Sequence, residues 1–127
     1  YVATVIDVEV QGKDIKVHDA YVVLDCGTHI NPDTCVAQME GAVVFGLSLA
    51  LKSEITFDKG SAVQGNLDTY ELIRMMESPR VTVDLVQSEA LPAGVGEPGI
   101  PPVAPALTNA IFAASGQRIR KLPVSIA

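Results

Sequence analysis

The segment GVGEPG, residues 94–99, sets one carboxylate, Glu97, among three glycines and a proline. It matches the dinucleotide-binding pattern G-x-G-x-x-G, whose glycines let a pyrophosphate approach the backbone. The surrounding sequence argues against that interpretation. Several loop residues separate the segment from the preceding strand pattern, no acidic residue follows Glu97 to bind a ribose, and Pro98 lacks an amide donor. A dinucleotide site is therefore not predicted here.

A second interpretation gives Glu97 itself a chemical role. Gly94, Gly96 and Gly99 permit positive φ angles and leave no side chain to crowd a ligand. Pro98 restricts the residue before it to an extended conformation. A general base needs such unobstructed placement, within about 2.6–3.2 Å of the proton that it removes. From the residues alone, a solvent-exposed glutamate in a Gly-Pro turn is an alternative that stays open.

Strand and helix patterns show which elements must position this loop. Apolar and polar residues alternate in part over 1–10 and continue over 15–24, which predicts a hairpin around the turn QGKD. After a loop at 25–33, a helix is predicted from Pro32 or Asp33 to Ser53, with small residues that would let another backbone approach closely.

Fewer elements are predicted in the second half of the chain. A strand is expected over 80–87, and a helix from Val103 to Ser115 that ends at Gly116. The tail RIRKLPVSIA, residues 118–127, is predicted to be a short strand or an irregular end. Strands with two separated helices favour an α+β class, with a mixed sheet containing the hairpin strands and two main helices.

Composition bounds the class of protein. The chain has 127 residues, 48% of them hydrophobic and 19% charged, which predicts one globular domain over 1–127. Its net charge of −6 argues against nucleic acid as a partner. The longest apolar stretch, at 41–51, is too short to span a bilayer. Because the sequence starts without Met and inside a strand pattern, we expect it to be a piece of a longer polypeptide.

Potential metal ligands crowd into one part of the sequence. They are His18, Asp19, Asp25, Cys26, His29 and Cys35. Their spacing matches no zinc pattern, and two cysteines without a CxxC motif give no disulfide framework. No protein-ligated metal is predicted.

Three blocks of sequence, in order, resemble one known family. They are VVLDCGTHINPDTCVAQMEGAVVFGLSLAL, NLDTYELIRMMESPRVTVDLV and GVGEPGIPPVAPALTNAIFAASGQRIRKLP. The first contains a D-x-G-x-x-x-N-P loop and a Q-x-E-G helix. Together they resemble the C-terminal end of the molybdenum-binding subunits of the xanthine dehydrogenase and aldehyde oxidase family, most closely the branch of the isoquinoline 1-oxidoreductase beta subunit.

The resemblance implies roles for Glu97 and Gln38, and Gly96 is a further candidate for a cofactor contact. Glu97 falls on the family's catalytic glutamate, the general base at the molybdenum site, and Gln38 falls on its cofactor-contacting glutamine. Gly96 is expected to offer a backbone contact to the cofactor. Without the family, Gln38 is an ordinary polar helix residue, and Gly96 is as well explained by a simple turn. The trio Arg118, Arg120 and Lys121 is expected at a solvated edge, with a neighbouring domain or the cofactor's phosphates as the alternative.

The resemblance also implies the chemistry and the partners of the intact protein. Molybdopterin carrying molybdenum, in the cytosine dinucleotide form, oxidises an N-heterocyclic aromatic or an aldehyde with oxygen from water. The pterin holds the metal, so no protein ligand is required. The rest of the large subunit and a separate small [2Fe-2S] subunit complete the enzyme.

Two hypotheses follow from the sequence. The chain is the C-terminal fragment of a molybdenum hydroxylase large subunit, or it is a non-catalytic packing or binding module that reuses the fold. In either case the isolated fragment is expected to bind no cofactor and to be inactive. Its location, in the cytoplasm or in the periplasm with membrane association, is not determined by these residues.

Overall fold

Two helices and five strands make up the computed structural model, which describes residues 1–126. The elements are β1 Val2–Gln11, β2 Asp14–Leu24, α1 Pro32–Leu51, β3 Phe57–Asp58, β4 Ser61–Ala62, β5 Arg80–Leu85 and α2 Val103–Ser115, with a 3₁₀ turn at Met75–Glu77. The predicted hairpin, helices and third strand are all present. Residues 117–126 form no strand, so of the two alternatives for the tail the irregular one is correct; Ala127 lies outside the described residues.

The main sheet is mixed, which confirms the α+β prediction. Strand β2 lies in the centre, antiparallel to β1 and parallel to β5. The turn between β1 and β2 contains Gly12, whose φ of +60° suits a residue without a Cβ. An irregularity between Asp7 and Val8 shifts the register of the hairpin.

Both helices pack on one face of this sheet, α2 against β1 and α1 against β5. Burial alternates along the strands, as expected when only one face is covered. The core between the two layers consists of side chains from every main element, including Ile6, Ala20, Val22, Leu24, Met39, Val43, Leu47, Val103, Leu107 and Ile111. The opposite face of the sheet is open, and Val5, Tyr21 and Val23 are exposed there by 65%, 46% and 42%.

A glycine on α1 allows the two helices to approach closely. A Cβ placed on Gly46 would lie 2.7 Å from the Cβ of Val103 in α2, closer than real Cβ contacts. Close approach through the small residues of α1 is therefore confirmed at Gly46. It does not occur at Gly41, where nothing lies within 4 Å of such a Cβ.

Helix α1 is apolar over more of its length than the stretch at 41–51 indicates. Its 20 residues have a hydropathy of 1.5 over an 18-residue window, enough by length and composition to cross a membrane. In this fold 44% of that window is buried. Eight of its residues, among them Met39, Val43 and Leu47, face the core, and that packing accounts for the apolar composition.

Candidate functional site

The start of α1 is fixed by its own capping residues. Asn31 is the N-cap, and its side-chain oxygen accepts a hydrogen bond from the Thr34 N–H at 3.3 Å. Pro32 occupies the first turn, where its missing donor costs no helix hydrogen bond. Gln38 follows in the second turn as an exposed side chain. Its amide can donate and accept hydrogen bonds toward a ligand.

The loop that carries Glu97 is a tight turn before α2. The N–H of Ile100 donates to the carbonyl of Glu97 at 3.0 Å, and the N–H of Val103 donates to the carbonyl of Ile100 at 3.1 Å. Pro98 lies inside the first turn, where its fixed φ is favourable. The Glu97 side chain is exposed, and among the described residues no hydrogen bond or ion pair engages its carboxylate.

The positive φ angles that glycine permits are not adopted in this loop. Gly94, Gly96 and Gly99 all lie outside the left-handed region. Gly99 instead is buried against α1, where an added Cβ would lie 2.7 Å from the Cβ of Ala42 and 3.0 Å from the Sδ of Met39. The requirement for glycine at this position is therefore close packing and not backbone conformation.

This contact brings the Glu97 loop onto the part of α1 that carries Gln38. Met39, which touches Gly99, is the next residue after Gln38 and is fully buried. The two side chains that the sequence singled out thus emerge from elements in direct contact. Gly96 lies in the same loop with nothing within 4 Å of an added Cβ, so open space surrounds its backbone.

A second contact, which sequence reasoning missed, fastens the loop before α1 to residues 88–93. The N–H of Thr28 donates to the carbonyl of Ala90 at 2.9 Å, and the N–H of Ala93 donates to the carbonyl of Cys26 at 2.8 Å. Gly27 has a φ of +74°, and a side chain there would collide with the Leu91 carbonyl. Gly27, the glycine of the D-x-G motif, is the sequence feature from which this contact between the two loops could have been predicted.

The six potential metal ligands are not gathered into one site. Among the described residues there is no group of three or more His, Cys, Asp or Glu side chains that could hold a metal ion. His18 pairs with Glu9 at 3.0 Å, and Asp19 accepts a hydrogen bond from Arg80 at 2.6 Å.

The two cysteines are free thiols in the core. Cys26 and Cys35 are exposed by only 5% and 8%. Burial, followed by the neighbouring Cys26, raises the pKa of the Cys35 thiol above its ordinary value of 9.0. At neutral pH that thiol is therefore protonated and acts as a small apolar side chain.

The basic trio lies away from Gln38. Arg118 stacks on Phe112, with its guanidinium carbon 3.4 Å from the ring centroid. Together with Glu54, the three cations line an open hollow of about 550 Å³ near the end of α1, where the tail is held by a hydrogen bond from Val124 to Ala50. Ala50 follows Gln38 by twelve positions, which is about 18 Å along a helix axis. The hollow does not include Glu97.

An apolar groove of about 590 Å³ runs between α1 and residues 72–81. Its lining includes Gly41, Val44 and Phe45 from the helix, and neither Gln38 nor Glu97 belongs to it. The two site residues therefore face the open surface of this chain and not the groove.

The sequence matches one protein-family model and is similar to several known proteins. A model of the molybdopterin cofactor-binding domain matches residues 1–79. The chain is 41% identical over 103 residues to the membrane-bound aldehyde dehydrogenase (pyrroloquinoline-quinone) of Gluconacetobacter polyoxogenes, covering 81% of this chain and 13% of that protein. It is 36% identical over 110 residues to isoquinoline 1-oxidoreductase subunit beta of Brevundimonas diminuta, covering 87% and 14%.

The fold itself has a solved counterpart. It matches the crystal structure of quinoline 2-oxidoreductase from Pseudomonas putida 86 with a TM-score of 0.78 and 24% identity, over 87% of this chain and 15% of that one. The match defines the class of this α+β domain by its architecture, a mixed sheet with two helices on one face.

The chain belongs to the molybdopterin cofactor-binding domain family, and its resemblance to molybdenum-binding subunits of the xanthine dehydrogenase family is confirmed. It spans 13% and 14% of the two curated relatives. Gln38 lies inside the matched residues 1–79, whereas Glu97 lies beyond them.

Proposed function

We propose that this chain is the C-terminal part of the large subunit of a molybdopterin-dependent hydroxylase, with Glu97 as its general base. The intact enzyme oxidises N-heterocyclic aromatics or aldehydes and takes the oxygen from water. The observation that carries the proposal is the seating of the Glu97 loop, through Gly99, on the helix that presents Gln38. The names of two relatives, an isoquinoline oxidoreductase and an aldehyde dehydrogenase, support the two substrate classes.

The exposed groups around this contact fit molybdopterin. Gln38 offers an amide donor and acceptor for the polar edge of a pterin, and the open backbone of Gly96 allows close approach. Molybdopterin would bring its own ligands for molybdenum, so the scattered histidines and cysteines are compatible with this cofactor. When bound, the cofactor supplies the two-electron redox chemistry and the transfer of a water-derived oxygen. We propose the cytosine dinucleotide form.

Glu97 then has one task, which is to accept a proton from the oxygen nucleophile. Its carboxylate suits that task because it is exposed and has no ion-pair partner among the described residues that would stabilise its charge. The hydrogen bond from Ile100 to the Glu97 carbonyl holds the backbone of the turn, and Pro98 limits its motion. In this proposal the chain thus both positions the Glu97 carboxylate and provides the group that accepts the proton.

The rest of the large subunit is the first proposed partner. The chain segment between α1 and β5 exposes large apolar side chains to solvent. Phe57 is exposed by 73%, Met75 by 91% and Met76 by 95%. We propose that neighbouring domains of the large subunit cover these side chains, and that the walls of a substrate pocket in front of Glu97 also come from that subunit. A small [2Fe-2S] subunit is proposed to remove the electrons. The net charge of −6 disfavours nucleic acid.

The test uses the intact complex purified from its natural source or from the full operon. We expect molybdenum and a pterin cytosine dinucleotide in the preparation, and turnover of at least one member of a panel of N-heterocycles and aldehydes. In H₂¹⁸O the product should carry the label. A complex without molybdenum or turnover would favour the non-catalytic module, and bound pyrroloquinoline quinone in its place would favour the chemistry named for the aldehyde dehydrogenase relative.

A further inference from the structure

Gly99 has tighter surroundings than the other glycines of its loop. An added Cβ would lie 2.7 Å from the Cβ of Ala42, and 3.0 Å and 3.3 Å from the Sδ and Cε of Met39. The Met39 side chain is flexible but fully buried, whereas the Ala42 methyl is fixed to the helix backbone and cannot rotate away. Any side chain at position 99 must therefore push the loop away from α1.

Such a shift would reach both residues of the candidate site. Glu97 and Ile100 close one hydrogen-bonded turn around Pro98 and Gly99, so the turn moves as a unit. On the other side of the contact, Met39 is bonded directly to Gln38. The contact of Gly99 with α1 is thus a direct structural link between the loop of Glu97 and the helix of Gln38.

We propose that Gly99 is a positioning residue, which sets the separation between the Glu97 carboxylate and the cofactor held at Gln38 by letting the loop touch α1. This inference rests on the proposed function of Glu97. It assigns Gly99 a role that neither backbone conformation nor contact with a ligand explains, since its φ is not positive and its neighbours are side chains of α1.

The test compares Gly99→Ala with the double variant Gly99→Ala/Ala42→Gly in the intact holoenzyme. We expect Gly99→Ala to lower kcat about tenfold or more, because small misplacements of a catalytic group cost that much, with little change in KM. The second substitution removes the methyl 2.7 Å from the new Cβ. It should restore kcat to within about threefold of the Ala42→Gly single variant, since the geometry is regained.

Two further measurements separate positioning from general damage. Molybdenum content should be unchanged in all variants, and a crystal structure of Gly99→Ala should show the loop displaced from Ala42 and returned in the double variant. Gly65→Ala is the matched control, because Gly65 is exposed with nothing within 4 Å of an added Cβ. We expect wild-type kcat for this control.

The outcomes distinguish this inference from the proposed function. If Glu97→Gln is inactive while Gly99→Ala keeps kcat within twofold of the wild type, the positioning role is wrong and the general base stands. If Glu97→Gln is fully active, the proposed function is wrong. If Gly99→Ala fails to accumulate, recovery of yield and kcat by Ala42→Gly supports the contact, and the lack of any recovery overturns it.

Discussion

At the scale of single residues, the proposed chemistry depends on two exposed polar side chains, Glu97 and Gln38. Exposure alone is ordinary for glutamate and glutamine. What distinguishes these two is that the loop of Glu97 and the helix of Gln38 meet through a buried glycine, so that the backbone segments that carry them are in direct contact.

Replacing the carboxylate tests this assignment most directly. In the intact enzyme, Glu97→Gln should keep its molybdenum yet lose turnover by at least ~100-fold, because an amide cannot accept the proton. Steady-state kinetics and metal analysis of the same preparation provide both readouts. Glu71→Gln, a change of another exposed glutamate, is the matched control and should leave kcat unaltered. Near-normal turnover of the Glu97 variant would rule out a general-base role.

The exposed carboxylate of the turn could be predicted from the sequence, whereas the contacts of the neighbouring glycine could not. The G-E-P-G segment indicated an exposed carboxylate in a turn, and the structure has one. The role of Gly99 could not be read locally, because it depends on Ala42 and Met39, more than fifty residues away in the chain. For the same reason the contact of Gly27 with residues 90 and 91 could not be predicted from the local sequence.

At the scale of elements, the packing of α1 against α2 depends on Gly46. An alanine there would place its Cβ 2.7 Å from the Cβ of Val103, which is itself fully buried. We expect Gly46→Ala to lower the free energy of unfolding by about 1–3 kcal/mol, the usual cost of overpacking a core. Urea unfolding of the chain, followed by circular dichroism, measures the change.

A second glycine of the same helix supplies the control. Gly41 is exposed and an added Cβ meets nothing within 4 Å, so Gly41→Ala should raise the free energy of unfolding by about 0.5–1 kcal/mol through helix propensity. Opposite signs for the two variants are expected. A stabilised Gly46→Ala would mean that the two helices do not pack as closely as described.

The end of α1 is joined to the following 3₁₀ turn by a pH-dependent ion pair. The ammonium group of Lys52 donates to both carboxylate oxygens of Glu77, at 2.6 and 2.7 Å, and the backbone N–H of Arg74 donates at 3.0 Å. Lys52 first, and then the Arg74 N–H, lower the pKa of Glu77 below its ordinary 4.5. The charged carboxylate is thus favoured in the folded chain.

The sign of the pH effect follows from that lowered pKa. The stabilisation is complete above the unfolded pKa near 4.5 and is lost as the pH falls through the lower pKa of the folded chain. We expect Glu77→Gln to flatten the fall in stability below about pH 4.5, the unfolded pKa, without changing its slope near pH 7. Unfolding curves of the wild type and of Glu77→Gln from pH 2 to 7 test this, and an unchanged fall in stability below pH 4.5 would contradict it.

Elements were predictable where local patterns are strong and unpredictable where partners are distant. The alternation of apolar and polar residues predicted β1 and β2. Gly116 predicted the end of α2, and it has the left-handed φ of 75° that is typical of a glycine at a helix C-terminus. The parallel pairing of β2 with β5 joins residues about sixty positions apart, so only the class of a mixed sheet was foreseen. Residues 118–126 of the tail include strand-forming types but form no strand, and the N–H of Val124 donates instead to the carbonyl of Ala50 in α1.

At the scale of the whole molecule, one face of the sheet and the segment between α1 and β5 present apolar side chains to solvent. Val5 and Tyr21 are cross-strand neighbours on the open face, and Met75 and Met76 are almost fully exposed. An isolated globular chain seldom leaves this much apolar surface uncovered. Neither the hollow nor the groove includes Glu97, so the proposed function requires other polypeptide to build the walls of a substrate pocket.

This incompleteness leads to a prediction for the chain by itself. We expect the 127-residue polypeptide, purified alone, to hold less than about one hundredth of an equivalent of molybdenum and to turn over no substrate. A pterin bound only at Gln38 and Gly96 would keep most of its surface in water. It would therefore gain too little binding free energy to stay bound. Elemental analysis after desalting, with the intact complex as the positive control, gives the comparison. Stoichiometric molybdenum in the isolated chain would show that its own residues complete the cofactor site, and the proposed dependence on the rest of the large subunit would then be wrong.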